Sequence, residues 1–233
     1  MEKFIIVGGT SGIGLKLTTQ LSEEGHEVHV LSREPREVEN LQGVKHYSVD
    51  VTDDDPDFPE IEGPVTGYVY CAGSINLKPF KMLKTKHFVE DFNINVMGAI
   101  KSFKAYEKQL IASKKGSVVF FSTVAVQTGM SYHTSVGMAK GAIEGLTRSL
   151  AAELAPNVRV NCIAPSIVDT PLAKKIIGDE TKKNTSGEKH PMKRVGEVED
   201  LSAMARFLLG SDAGWITGQV IHVDGGMSSI RPL

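Results

Sequence analysis

The sequence predicts a doubly wound α/β fold, with a parallel sheet of about seven strands and helices on both faces. Three observations carry the prediction. Short apolar runs alternate along the chain with helical patterns. Several of those runs, Ser117-Val118-Val119-Phe120-Phe121 above all, are apolar almost throughout, as strands covered on both faces are. The first run, Phe4-Ile5-Ile6-Val7, opens straight into a glycine cluster and then a helical pattern. At 233 residues, 41% hydrophobic and 23% charged, the chain suits one domain spanning residues 1–233.

Gly8-Gly9-Thr10-Ser11-Gly12-Ile13-Gly14 follows the first strand, and the first helix runs from about Ile13 to Glu24. Glycines let the backbone approach a ligand, and the unpaired N–H groups of the helix start suit a pyrophosphate. Such turns also join strands to helices for structural reasons alone. Glu27 to Leu31 reads as the second strand and Val44 to Val49 as the third. Between Asp50 and Gly73, Pro56, Pro59 and Pro64 interrupt an acidic stretch where a crossover helix belongs. Proline in a helix interior costs roughly 3 kcal/mol, so that helix is short or absent. Val65 to Tyr70 is a fourth strand, followed by a long helix from about Lys86 to Ser113 and the strand Ser117 to Phe121. A second long helix spans about Ser135 to Leu154, with Val136, Ala139, Ile143, Leu146 and Leu150 at spacings of three and four, and ends before Pro156. Val158 to Ile163 and Gln219 to Val223 complete the sheet, closed by Asp224-Gly225-Gly226. Ligands in this architecture bind outside the carboxyl ends of the strands, at the point where strand order reverses.

The formal net charge of -2 gives no bulk attraction to nucleic acid or anionic membranes, so the expected partner is a small molecule. Cys71 and Cys162 both lie in apolar strand-like runs, which points away from a disulfide framework and toward a reducing compartment. With no basic-plus-apolar leader and no run of membrane-spanning length, the expected location is the cytoplasm, with no membrane partner. No pair among the seven histidines has metal-ligand spacing, and no metal is expected.

Four features stand together: Gly8-xxx-Gly12-x-Gly14, Asn95 in the first long helix, Lys140 in the second, and Ile216-Thr217-Gly218-Gln219 running on to Val223-Asp224-Gly225-Gly226. With Asp50-Val51, Ala72-Gly73, Leu146 to Leu154 and Arg159-Val160-Asn161-Cys162-Ile163-Ala164-Pro165, the whole chain resembles the short-chain dehydrogenase/reductase superfamily. The resemblance implies a nicotinamide cofactor. Gly8, Gly12 and Gly14, with Thr10, Ser11 and Ile13 of the same loop, would take the pyrophosphate. Asp50 and Val51 would meet the adenine, Cys71, Ala72 and Gly73 the adenine ribose side, and Pro165, Val168 and Thr170 the nicotinamide carboxamide. Two positions depart from the family pattern: Tyr70-Cys71 replaces the usual Asn-Asn, and Ser166 replaces the glycine that follows Pro165. At the end of the second strand an NAD site needs a carboxylate for the ribose 2′-OH, but Ser32 and Arg33 stand there. An arginine fork suits a 2′-phosphate, so NADP(H) is preferred over NAD(H).

In most enzymes of the superfamily a tyrosine four residues before the helix lysine donates the proton, and here that place is Val136. Thr123 occupies the position of the carbonyl-polarising serine, and Asn95 and Lys140 remain. Loss of a positioned general acid commonly costs a hundred- to ten-thousand-fold in rate. Tyr132 and His133 lie eight and seven residues before Lys140, and seven is close to two helical turns, so His133 would share the lysine's face. Enoyl-thioester reductases of the superfamily carry their tyrosine seven residues before the lysine. One reading is an active reductase of a C=O or C=C bond, a small 3-oxoacyl or 2-enoyl thioester, in which Tyr132 or His133 supplies the proton or the oxyanion contact. The other is a cofactor-binding protein without efficient catalysis, with a sensing or structural role.

Gly137, Gly141 and Gly145 form a stripe on the second long helix, each costing up to about 1 kcal/mol relative to alanine. Close helix–helix approach would compensate, and by resemblance the partner is a second copy, giving a dimer or tetramer; packing on the chain's own sheet is the alternative. A substrate-covering loop is expected near 171–195, and its six lysines are expected to be solvated. Trp215 is expected to pack near the last strand.

Overall fold

The computed structural model describes residues 1–230. Seven strands form one sheet in the order β3-β2-β1-β4-β5-β6-β7, and every pairing is parallel. The strands are β1 (Lys3–Val7), β2 (Glu27–Ser32), β3 (Val44–Ser48), β4 (Gly67–Tyr70), β5 (Gly116–Phe121), β6 (Val158–Pro165) and β7 (Val220–Val223). The order reverses between β1 and β4, so a crevice opens beyond their carboxyl ends.

Alternation along each strand supplies two cores. Ile5 and Val7 of β1 and Val118 and Phe120 of β5 face one layer, while Phe4, Ile6, Val119 and Phe121 face the other. Helix α1 (Gly12–Glu23) packs on the second layer, where Leu17 and Leu21 are buried. No helix forms between β3 and β4; an irregular segment carries Phe58 and Ile61 onto the first core.

The helix expected from about Lys86 to Ser113 is three pieces: α2 (Thr85–Phe92), a single π-helical turn over Asn93–Met97, and α3 (Gly98–Ala112). The widened turn is marked by Gly98 N–H bonding to Asn93 O. The Asn95 side-chain amide donates to Asp91 O at 2.8 Å, which stabilises the turn from within. After β5 comes the short α4 (Ala125–Thr128), then α5 (Thr134–Leu154), which buries Val136, Ala139, Ile143, Ala151 and Leu154. Its first helical residue is Thr134, so His133 is the cap residue and Tyr132 lies outside in a left-handed conformation, φ 71°.

The expected covering loop contains two helices, α6 (Lys174–Ile177) and α7 (Glu180–Glu188), capped by Asp179 accepting from Lys182 N–H at 2.8 Å. Three of its lysines are paired: Lys182 with Asp179, Lys183 with Asp169 and Lys193 with Glu188. Helix α8 (Val198–Leu209), absent from the sequence reading, covers the second layer with Leu201, Ala205, Leu208 and Leu209. Trp215 does not pack near the last strand; it is 100% exposed. Among the described residues no helix is long and apolar enough to cross a membrane.

Candidate active site

One cleft of about 840 Å³ lies along the carboxyl ends of the strands and spans the switch point between β1 and β4. Its floor begins at Gly8, whose φ of 79° and whose distance from the β4 loop both require glycine; a Cβ there would stand 2.8 Å from Ala72 N. At Gly14 a Cβ would stand 2.3 Å from Gly8 O, so α1 starts directly on the turn with its first N–H groups at the cleft. Thr10, Ser11, Gly12 and Ile13 line the same wall.

At one end of the cleft the Ser32 hydroxyl is committed internally. It donates to Glu34 O at 2.8 Å and lies 2.9 Å from His46 Nε2 and 3.2 Å from Thr10 Oγ1. Exposed Arg33 lines the cleft and has no ion pair among the described residues. Arg36, which the sequence reading did not single out, lines it too. The Thr52 hydroxyl and backbone N–H hold Asp50 at 2.7 and 2.9 Å and, with Arg33 nearby, keep its carboxyl below the usual range. Val51 is buried beside it.

At the other end, Lys140 of α5 donates to Phe121 O at 2.8 Å. Desolvation pulls its ammonium down to about 8, against the opposing influence of Cys162, Cys71 and Asp91. Asn95 is fully buried, and its Oδ1 has no partner. Both groups flank Gly73: a Cβ there would meet Asn95 Oδ1 at 2.9 Å and Lys140 Nζ at 3.6 Å. An orphaned acceptor beside a desolvated cation is a place for a group with hydroxyls.

The side chains that brace this end are ones to which the sequence reading gave no bracing role. Asp91 is fully buried and accepts from Ser74, Asn76 and Ser135 at 2.6, 2.7 and 2.6 Å, tying α2 to the start of α5. Tyr70, one of the two departures from the family pattern, donates from its hydroxyl to Ile94 O at 2.5 Å, bracing the π turn next to Asn95. Burial pushes the thiols of Cys71 and Cys162 up to about 12, so both stay protonated.

Val136 is buried in the wall and brings no donor. Thr123 lines the cleft, and its Oγ1 accepts from Ala125 N–H at 3.3 Å, leaving the hydroxyl proton uncommitted among the described residues. His133 also lines it, with Nδ1 2.8 Å from Ser131 O; a carbonyl only accepts, so Nδ1 carries the proton and Nε2 is open. Tyr132 is 56% exposed and is not among the lining residues. Pro165 at the end of β6 and Ser166, Ile167, Val168 and Thr170 beyond it also line the cleft, with Ser186, Lys189 and His190 of the covering segment.

Comparison with known proteins decides the family. A family model described as "Enoyl-(Acyl carrier protein) reductase" matches residues 7–228. A short-chain type dehydrogenase/reductase from Mycobacterium ulcerans superposes with a TM-score of 0.88 at 29% identity, over 99% of this chain and 90% of that one. The chain belongs to the short-chain dehydrogenase/reductase superfamily. The 3-oxoacyl-[acyl-carrier-protein] reductase MabA of Mycobacterium tuberculosis is 32% identical to this member over 231 residues, 96% of this chain and 91% of the relative. ElxO, solved with NADP bound, shares 27% identity and a TM-score of 0.88 over 98% of this chain and 99% of its own. In this dehydrogenase/reductase Gly8, Gly12, Gly14, Asn95, Lys140 and Val136 all line one cleft.

Proposed function

We propose that this chain is an NADP(H)-dependent reductase that adds a hydride to a small carbonyl or enoyl substrate, a 3-oxoacyl thioester first among them. The observation that carries the reading is the unpartnered, buried Asn95 Oδ1 beside Lys140 Nζ over Gly73. Together with the Gly8 turn and the 840 Å³ volume it forms a cradle that fits a dinucleotide. The relative named as a 3-oxoacyl-[acyl-carrier-protein] reductase and the neighbour solved with NADP support the substrate and cofactor.

When bound, the reduced nicotinamide supplies the hydride. The chain's own residues do the rest. The N–H groups at the start of α1, with Gly8, Thr10, Ser11, Gly12, Ile13 and Gly14, hold the pyrophosphate. Arg33, with Arg36 beside it in the cleft wall, holds the 2′-phosphate, Asp50 and Val51 the adenine, and Cys71, Ala72 and Gly73 its ribose side. Asn95 Oδ1 and Lys140 Nζ take the nicotinamide ribose hydroxyls, while Pro165, Val168 and Thr170 meet the carboxamide. Thr123 Oγ1 and His133 Nε2 face the substrate oxygen, and of the two rescuing groups it is His133 that lines the cleft.

The test is NADPH absorbance loss with acetoacetyl and crotonyl thioesters offered side by side, once NADPH binding is established by fluorescence. Turnover of the acetoacetyl ester is expected; oxidation of neither, with cofactor bound, rejects the reductase reading. Buried Val136 favours a second reading, cofactor binding without efficient catalysis. On that reading the parent protein is inactive and Val136→Tyr creates carbonyl reduction by supplying the phenol.

A further inference from the structure

His190 is 3% exposed, yet it lines the cleft. Its Nδ1 lies 2.9 Å from Ser186 O, and a carbonyl only accepts, so Nδ1 carries a proton. Its Nε2 lies 2.8 Å from Ser166 Oγ, so the neutral ring accepts from the hydroxyl and the charged ring donates to it. Ser166 is the first residue beyond β6. The preceding carbonyl, Pro165 O, accepts from Val124 N–H at 3.0 Å, so Ser166 stands at the strand end adjacent to the one that carries Thr123. A second cavity, of about 100 Å³, is lined by the same two residues together with Arg194, Asp200 and Asp224. A space of that size with charged side chains in its wall has room for water. The pair is therefore a shared wall between the main cleft and the second cavity.

We propose that Ser166 and His190 are the proton-delivery pair of this site, supplying what Val136 cannot. The proposal rests on the reductase reading above. As hydride reaches the carbonyl carbon, the π electron pair of the C=O bond moves onto oxygen. That oxygen bonds to the Ser166 hydroxyl proton, Ser166 Oγ takes the Nε2 proton of imidazolium His190, and the ring leaves neutral. The ketone is reduced to an alcohol, the nicotinamide is oxidised, and solvent returns one proton to Nε2. Thr123 and His133 keep the hydrogen-bonding role already given them. The charged groups that line a cavity with the ring are Arg194 and Asp200, paired at 2.6 and 2.9 Å, and Asp224, with Lys189 in the main cleft; Lys193 on the same segment is paired with Glu188.

A simple latch between the covering segment and β6 would use the same hydrogen bond, so the test must separate the two roles. The donor is the charged ring, so kcat for acetoacetyl thioester falls as rising pH removes one proton. His190→Gln keeps a polar side chain but cannot titrate; its kcat drops about 100-fold or more. Its profile loses that limb, and NADPH affinity from fluorescence stays within about threefold, against the roughly tenfold change that 1.4 kcal/mol would give. Ser166→Ala behaves alike and Ser166→Thr, which restores the hydroxyl, recovers the rate. Variants that keep the parent's kcat and pH profile overturn the pair while leaving the reductase intact. A parent with no turnover rejects the reductase reading instead. Independently of turnover, nitrogen-15 NMR of the cofactor-free protein follows the protonation of the ring. Ser166→Ala should change the Nε2 signal, whose hydrogen-bond partner it removes, and a ring that is never found charged overturns the proposal.

Discussion

Lys140 shows how a single residue is tuned by where it is held. Burial disfavours its charged form and brings its titration down to about 8, so the ammonium is present below that pH and lost above it. A charged donor makes a hydrogen bond stronger than a neutral one by about 1 kcal/mol. NADPH affinity is therefore expected to fall about fivefold as pH rises through 8. Lys140→Arg, whose guanidinium does not deprotonate, should give an affinity flat to pH 10; fluorescence titration across that range checks both. Gly8, Asn95 and Lys140, singled out in the sequence by the family resemblance, all line the cleft. Tyr70 bonded to Ile94, Asp91 to Ser135 and Ser166 to His190 were not legible there, since each pair joins residues 24 to 44 positions apart and only the fold brings them together.

Among the elements, α5 carries the clearest unpartnered face. A Cβ on Gly137 or Gly145 would meet nothing within 4 Å, and one on Gly141 only Val126 at 3.7 Å. The chain's own sheet is therefore not what the stripe packs against. Glycine there matches the approach of a second copy of the helix, the dimer or tetramer read from the sequence. Gly137→Leu with Gly145→Leu should leave the fold intact and convert a multi-subunit sedimentation profile at micromolar concentration into a monomer; a parent already monomeric contradicts the reading. The second long helix was read nearly to its true ends because Pro156 and the buried stripe mark it. The first was read as one piece, because a π turn changes the ring size of backbone bonds without changing the apolar pattern around it. Helix α8 was legible and went unread: Val198, Leu201, Ala205 and Leu208 recur at threes and fours, and Glu197 and Asp200 form a capping box.

Across the whole molecule, the parallel order of the sheet gathers every strand's carboxyl end on one edge, so residues from position 7 to position 227 line one cleft. The alternation of apolar runs with helical patterns made that architecture readable in advance, and the prolines between Asp50 and Gly73 announced the missing crossover helix. Cofactor preference acts at the same scale, because a ligand bound only to the folded state raises its stability. At 100 times the dissociation constant the gain is about 2.7 kcal/mol, or roughly 5 to 10 °C in Tm for a chain of this size. NADP+ should raise Tm more than NAD+ at equal concentration. Arg33→Ala should remove the difference while leaving the NAD+ effect unchanged, and equal shifts in the parent contradict the preference.

The protonated thiols of Cys71 and Cys162 have a practical consequence. With both nearly inert to maleimides at neutral pH, a cysteine placed in the helix-free stretch after β3, such as Asp54→Cys, would be the preferred point of attachment for a dye. Asp54 is exposed and two positions from Thr52 of the cleft wall, so the fluorophore would report occupancy of the adenine end in real time, without reference to catalysis.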